Sequence, residues 1–302
     1  MNILITGGSG FIGSNLALAL QEKYPEAKIT VVDDFSLGHF KNLLGFKGDV
    51  IAADIYDFDW NSLGKVDLFF HQAAITDTTV IDQKKMYNIN TDSFRRILHY
   101  CLKNDIKLVY ASSAATYGNT PAPMIEGKNE TPANVYGHSK LICDNIVRQI
   151  MKEHPDFPVV GLRYFNVYGP RESYKGKMAS MIWQLYNQMK TGNNPRLFKY
   201  GEQKRDFVYV KDVIKANILA ITGPSGIFNV GSGKAGTFNT IVKELNENMN
   251  LNKEIEYFDN PYDFYQEYTE ADLTNAQRWG YIPDFDLEKG IKDYLEWIKL
   301  QK

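Results

Sequence analysis

Met1-Asn-Ile-Leu-Ile-Thr-Gly-Gly-Ser-Gly-Phe-Ile-Gly-Ser14 is the stretch that decides the fold. An apolar run from Met1 to Ile5 leads into a turn carrying Gly7, Gly8, Gly10 and Gly13, and Phe11 to Leu20 is rich in good helix formers. A short apolar run of this kind is the pattern of a buried parallel strand, so the glycines connect a strand to a helix. Glycine permits the tight bend. It also lets backbone N–H groups at the helix N-terminus approach a pyrophosphate, whose charge the helix dipole favours. The run reads either as Gly8-x-Gly10-x-x-Gly13, the common dinucleotide fingerprint, or as Gly7-x-x-Gly10-x-x-Gly13. A turn that only packs a helix closely has the same pattern, so the reading needs support from residues downstream.

The support is Asp33-Asp34, directly after the strand Lys28 to Val32. It lies about twenty residues past the glycines, where a carboxylate accepts hydrogen bonds from an adenosine ribose. Two carboxylates there repel a 2'-phosphate, while His39 and Lys41 are the nearby groups that offset the repulsion. The residues lean to NAD and leave NADP open. A plain strand-end turn is the alternative reading.

At 302 residues the chain is long enough for a large core and two lobes. Its 34 basic and 36 acidic residues leave a net charge of -2, which gives no case for a nucleic-acid or membrane-surface partner. No apolar run approaches about 18 residues and no charged segment precedes the N-terminal apolar stretch, so a cytoplasmic protein without membrane span or signal peptide is expected. Cys101 and Cys143 are too few for a disulfide framework, and the five histidines form no metal-binding cluster.

Further apolar runs at Asp49 to Ala53, Val66 to Phe70, Lys107 to Ser112 and Pro158 to Tyr164 alternate with helical patterns such as Thr91 to Leu102 and Ser139 to Met151. Alternation of this kind predicts an α/β fold, a doubly wound, Rossmann-like parallel sheet with helices on both faces. Ligands then lie beyond the carboxyl ends of the strands. After about Gly169 the pattern loosens towards a terminal amphipathic helix, Leu287 to Leu300, and Gly226 to Gly233 reads as a late strand returning to the sheet. The expected division is a dinucleotide-binding domain of residues 1–165 plus about 207–232, and a smaller α/β substrate lobe of about 166–206 plus 233–302.

Tyr136 and Lys140 lie one turn apart at the start of a helix and share a face. A free tyrosine, with a pKa near ~10, is a poor base at neutral pH. A nearby ammonium and an oxidised nicotinamide both favour the phenolate. Ser112-Ser113 ends a central strand, where a serine hydroxyl can donate to a substrate oxygen while Tyr136 takes its proton. Tyr-x-x-x-Lys alone is frequent by chance, and it is the convergence with the serines that gives it meaning.

Thr6 to Gly13, Tyr110-Ala-Ser-Ser-Ala-Ala-Thr-Tyr-Gly118, Asn134-Val-Tyr-Gly-His-Ser-Lys140 and Arg163-Tyr-Phe-Asn-Val-Tyr-Gly-Pro-Arg-Glu172 together resemble the extended short-chain dehydrogenase/reductase family of nucleotide-sugar enzymes. Tyr164 to Ser180, Lys204 to Val210 and Tyr268 to Asn275 are similar to the branch of that family that epimerises ADP-linked glycero-manno-heptoses. The resemblance implies an isomerase that inverts C6'' of an ADP-linked D-glycero-D-manno-heptose for lipopolysaccharide core synthesis, by transient oxidation and re-reduction. It implies bound NADP and a homo-oligomer, in this family a pentamer. By the matched motifs, Tyr136 and Lys175 are the two bases, Ser113 orients the oxygen and Lys140 holds the nicotinamide ribose.

On the cofactor side the same matches give Gly7, Gly10, Phe11, Ile12, Gly13, Asp33, Asp34, Gln72, Ala73, Ala74 and Ile75, with Asp54 meeting adenine and Asn90 as a candidate that also reads as a helix cap. On the substrate side they give Ser113, Asn166, Lys177, Gln184, Phe198, Arg205 and Tyr265. Asn166 bonds sugar hydroxyls and Arg205 forks onto the diphosphate, although Asn166 also reads as a turn cap and Arg205 as a partner of Asp206. The chain departs from the branch at three places. The basic residue suited to a 2'-phosphate falls near Phe40, the substrate-loop histidine becomes Gln184, and a serine beside the second base becomes Lys177. Alternatives are a UDP-sugar 4-epimerase, which needs no second base, and a dinucleotide sensor without catalysis. Ala114-Ala115 stands where dehydratases carry an acidic pair, which disfavours elimination.

Overall fold

The computed structural model describes residues 1–80, 82–260 and 266–301. Its strands are β1 (Asn2–Thr6), β2 (Lys28–Asp33), β3 (Asp49–Ala52), β4 (Leu68–His71), β5 (Lys107–Ser113), β6 (Val159–Tyr164), β7 (Asn166–Tyr168), β8 (Arg196–Phe198), β9 (Lys204–Tyr209), β10 (Gly226–Val230), β11 (Ala235–Thr237) and β12 (Glu256–Phe258). Its α-helices are α1 (Phe11–Lys23), α2 (Gln83–Tyr87), α3 (Ser93–Lys103), α4 (Val135–Glu153), α5 (Met181–Lys190), α6 (Val210–Ala220), α7 (Phe238–Met249), α8 (Thr274–Gln277) and α9 (Leu287–Leu300).

Seven strands form one parallel sheet in the order β10-β6-β5-β4-β1-β2-β3. The order reverses between β1 and β4, which is where a doubly wound sheet opens a crevice. Register aligns the strand ends there, since Thr6 pairs with Val32 on one side and His71 on the other. The glycine turn, Asp33 and Gln72 therefore leave the sheet at one level. The expected doubly wound fold is borne out, including the return of Gly226–Val230 to the sheet beside β6.

Successive β1 residues serve opposite faces, as the period of two requires. Ile3 and Ile5 join a core with Leu16 and Leu20 of α1 and Val213 of α6, while Leu4 joins one with Ile97 of α3 and Val147 of α4. Each fully buried aliphatic side chain contributes roughly 1.5–3 kcal/mol of burial free energy. A third cluster, built from α5, α7, α9 and β9 around Tyr168 and Tyr294, serves the smaller sheets β11-β9-β7 and β12-β8.

Two boundaries differ from the sequence pattern, both beside the site. The apolar pattern marked from Ser139 belongs to a helix that starts at Val135, in keeping with a helix start at Tyr136, because the Asn134 side chain accepts the Gly137 N–H at 2.8 Å and so sets the first turn. The helix expected from Thr91 is preceded by a π-helical turn over Asn88–Asp92. Apolar periodicity marks the buried middle of a helix and is blind to caps and π turns.

Candidate active site

The glycine turn is built around contacts that no side chain could survive. Gly7 has φ +68°, and a Cβ there would stand 2.6 Å from the Ala73 nitrogen. A Cβ on Gly13 would meet the Gly7 carbonyl oxygen at 2.1 Å, so α1 sits directly on the turn. Gly10 precedes α1 with no side-chain cap, which leaves the first-turn N–H groups of the helix open to an anion. The Ser9 hydroxyl beside them is buried without a partner. An open helix terminus with no room for side chains around it fits a dinucleotide pyrophosphate.

The two carboxylates after β2 are used differently. Asp33 is 6% exposed, and its oxygens accept the Ser9 N–H at 2.9 Å and the Phe35 N–H at 2.8 Å, so it braces the glycine turn. Asp34 is exposed and accepts from the Ser36 N–H at 2.9 Å, and exposed Asp54 accepts from the Tyr56 N–H at 2.8 Å. Both shape local turns and neither borders the main cavity. At the end of β4, Gln72 donates to Asn217 at 3.2 Å and Ala73 packs on Gly7. Asn90 clamps Ile75, accepting its N–H at 2.8 Å and donating to its carbonyl at 3.0 Å. Asn90 is itself buried in the π turn, so it holds the β4 loop from behind.

A cavity of about 790 Å³ brings the reacting candidates together. Ser113, Tyr136, Lys140 and Lys175 line it. Phe11, Ile12, Gln72 and Ala74 border it on the glycine-turn side, and Asn166, Lys177, Gln184, Phe198 and Arg205 on the side of the smaller sheets. Burial raises the Tyr136 phenol above its ordinary pKa, while a hydrogen bond with Ser113 pulls the other way. The Lys140 ammonium donates to the Ala111 carbonyl at 2.9 Å, and burial lowers its pKa. Behind this floor, Asp144 accepts from Tyr110 at 2.8 Å, Ser112 at 3.0 Å and Arg163 at 2.8 Å, which locks the end of β5 to α4. Nearby His71 bonds Thr6 Oγ1 through Nδ1 at 2.8 Å, and burial, with Lys140 adding to it, lowers its pKa to about 3.

Lys175 sits in a 3-10 turn over Ser173–Met178, its ammonium 5.5 Å from the Phe11 ring centre. Burial lowers its pKa and the charge of Glu172 opposes the shift. Glu172 is wholly buried and ties the ends of the turn, accepting from the Gly169 N–H at 3.1 Å and the Ser180 N–H at 2.6 Å. Gln184 donates to the Lys177 and Ala179 carbonyls at 3.2 and 2.8 Å, and so holds the far side of the same loop. Asn15 on α1 donates to the Pro170 carbonyl at 2.8 Å.

Sequence reasoning placed Phe198 at the cavity but missed the residues around it, Arg196, Phe238 and Phe258. Phe258 on β12 stands edge-on to Phe198 on β8 at 4.9 Å, and the Arg196 guanidinium lies 4.7 Å over the Phe258 ring. Phe238 lies 5.9 Å beneath Arg205. The Arg205 guanidinium donates to the Lys204 carbonyl at 2.8 Å, and the oxygens of Asp206 accept from Ser232, Gly233 and Ala271. The one signal was the match between two short alternating runs, Arg196-Leu-Phe198 and Glu256-Tyr-Phe258, far apart in the chain. Tyr265 lies outside the described residues. Among the described residues, no group of acidic, histidine or cysteine side chains is placed to hold a metal, and no helix is long and apolar enough to cross a membrane.

An uncapped glycine turn opening on one cavity with Ser113, Tyr136 and Lys140 agrees with what residues 3–231 match, the NAD dependent epimerase/dehydratase family. The chain belongs to that family. Among solved structures, ADP-L-glycero-D-manno-heptose-6-epimerase of Helicobacter pylori is 47% identical with a TM-score of 0.91, over 99% of this chain and 96% of the other. UDP-N-acetylglucosamine 4-epimerase of Methanobrevibacter ruminantium, solved with UDP-N-acetylmuramic acid, is 30% identical with a TM-score of 0.92, over 100% and 99%. UDP-glucose 4-epimerase of Thermotoga maritima, solved with UDP-glucose, is 30% identical with a TM-score of 0.91, over 100% and 99%. The resemblance to extended short-chain dehydrogenases/reductases is borne out, and this family member is an isomerase of the epimerase type.

Proposed function

We propose that the protein inverts C6'' of an ADP-linked D-glycero-D-manno-heptose to the L-glycero form, in the synthesis of lipopolysaccharide core sugars. The observation that carries this reading is the presence of a second base candidate, the half-buried Lys175, on the cavity that also receives Tyr136. Inversion by oxidation and re-reduction handles the hydroxyl proton from two sides, and a 4-epimerase has no need of the second group.

When bound, a nicotinamide ring supplies the hydride acceptor and, oxidised, a positive charge beside the phenol. The chain's own residues do the rest. Tyr136 takes the alcohol proton on one side, helped by Ser113, whose hydrogen bond offsets part of the burial that holds the phenol protonated. Lys140, tied to the Ala111 carbonyl, anchors the cofactor ribose. Lys175, whose ammonium burial disfavours and Glu172 favours, serves the other side as the second acid-base group. Asn166, Lys177 and Gln184 face the sugar, with Arg205 on the diphosphate. We read the aromatic end at Phe198 and Phe258 as the nucleotide base seat. Residues 1–165 plus about 207–232 form the cofactor domain in this scheme, and about 166–206 plus 233–302 the substrate lobe.

NAD fits the residues after β2 better than NADP, since Asp33 and Asp34 supply negative charge and Phe40 stands near the place of a basic residue. A cytoplasmic homo-oligomer, a pentamer by resemblance, completes the proposal. The testing experiment incubates purified protein with ADP-D-glycero-D-manno-heptose without added cofactor. The C6'' epimers are resolved by NMR, and the released dinucleotide is identified by mass spectrometry. Conversion supports the reading. Turnover of UDP-galactose with none of the heptose would replace it with a UDP-sugar 4-epimerase, the activity of two structures 30% identical to this chain.

A further inference from the structure

We infer that His39 is a positioning residue for Lys175, holding the turn that carries the second base against the dinucleotide turn through a ring stack with Tyr174. The inference rests on the proposal that Lys175 acts on the sugar.

His39 is fixed at three points. Its N–H donates to the Ser9 carbonyl in the glycine turn at 3.1 Å, and its Nδ1 accepts the Lys41 N–H at 3.2 Å, which sets the ring plane. One face of the ring then meets Tyr174 at 3.9 Å between centres and 5° between planes. Phe40 stacks on the imidazole as well, at 4.8 Å and 28°. The residue after Tyr174 is Lys175, and its ammonium returns to the Phe11 ring at the start of α1. The contacts close a circuit from Ser9 through His39, Tyr174 and Lys175 to Phe11. Glu172, Gln184 and Asn15 hold the two ends of the turn, and the stack holds its crest.

Tyr174 is 41% exposed, so burial alone explains the parallel stack poorly. An aromatic pair is worth a modest increment beyond burial, which sets the size of the expected effect at roughly three- to tenfold in kcat. The segment that carries His39 also follows Asp33, whose carboxylate braces the glycine turn. The stack thus joins the loop beside the glycine turn to the loop of the second base.

The test compares His39→Ala, Tyr174→Ala, the double variant, His39→Phe and Lys175→Ala, assayed with whichever nucleotide sugar the wild type inverts. Expected are a loss of roughly three- to tenfold in kcat for each alanine variant, little change in KM, no added loss in the double variant, and recovery in His39→Phe. Dinucleotide retained per chain should stay constant, and amide hydrogen exchange over 173–178 should quicken in His39→Ala but not in His39→Phe. Additive losses, or unchanged exchange with unchanged kcat, overturn the positioning role. Full activity in Lys175→Ala instead overturns the second-base proposal, whatever the exchange data show.

Discussion

Glu172 and Ser180 close the turn that carries Lys175: one carboxylate oxygen accepts the Ser180 N–H at 2.6 Å and the other its hydroxyl at 2.9 Å. Tyr294 on α9 hydrogen-bonds the same carboxylate. The negative charge does chemical as well as structural work, because it is what opposes the burial-driven fall of the Lys175 pKa. Glu172→Gln removes that charge and lets the pKa fall further. A base needs its neutral form, so the acid limb of the pH-rate profile should move to lower pH, while stability drops by about 1–3 kcal/mol from mismatched buried partners. Steady-state rates across pH, with urea melts at one pH, check both parts.

Tyr136→Phe should keep its dinucleotide and lose roughly 10²- to 10⁴-fold in kcat, the usual range for a missing acid-base group. Lys175→Met should block inversion yet still permit oxidation of the epimer served by Tyr136. Single-turnover absorbance of the reduced nicotinamide, run with each epimer, separates the two bases. Near-normal rates in Tyr136→Phe remove the phenol from the mechanism.

Gly13→Ala places a methyl 2.1 Å from the Gly7 carbonyl, so either α1 or the turn must move. The expected cost is roughly 1–3 kcal/mol, with loss of bound dinucleotide because the N–H groups no longer converge. Cofactor content after desalting reads this out. A fully loaded variant would contradict the role given to the turn.

His71 ties stability to acidity. Its pKa is about 3 in the fold against 6.5 as its ordinary value, so between those limits the unfolded chain binds the extra proton. Stability from this group is intact above about pH 6.5 and declines towards pH 3, at up to about 1.4 kcal/mol per pH unit. Replacement by Gln should flatten that dependence in urea titrations. An unchanged slope would show that other groups govern acid unfolding.

The parts legible in the sequence were those whose chemistry is local. The glycine turn, Asp33, and the Tyr136 to Lys140 spacing each declare a backbone shape or a shared helix face within a few residues. Lys175 was found only through family likeness, since a lysine in a polar loop has no pattern of its own and its place over Phe11 and near the charge of Glu172 comes from the folded loop. Asn90 was legible as polar and near a helix start, but its inward turn depends on the π geometry of Asn88–Asp92. Phe258 and Arg196 escaped because β8 and β12 are three residues each and meet only by pairing across the chain. The His39 stack is of the same kind, two rings brought together by loops whose paths no local preference dictates.

The order of strands in the large sheet has an evolutionary reading. β10 completes the sheet beside β6 only after the chain has gone out to build β7, β8 and β9 and come back. A cut after Tyr164 would strip β6 of its outer neighbour and leave a bare hydrogen-bonding edge. Exchanging residues 166–206 and 233–302 together between relatives therefore demands three crossovers, and single substitutions around the cavity are the easier route to change.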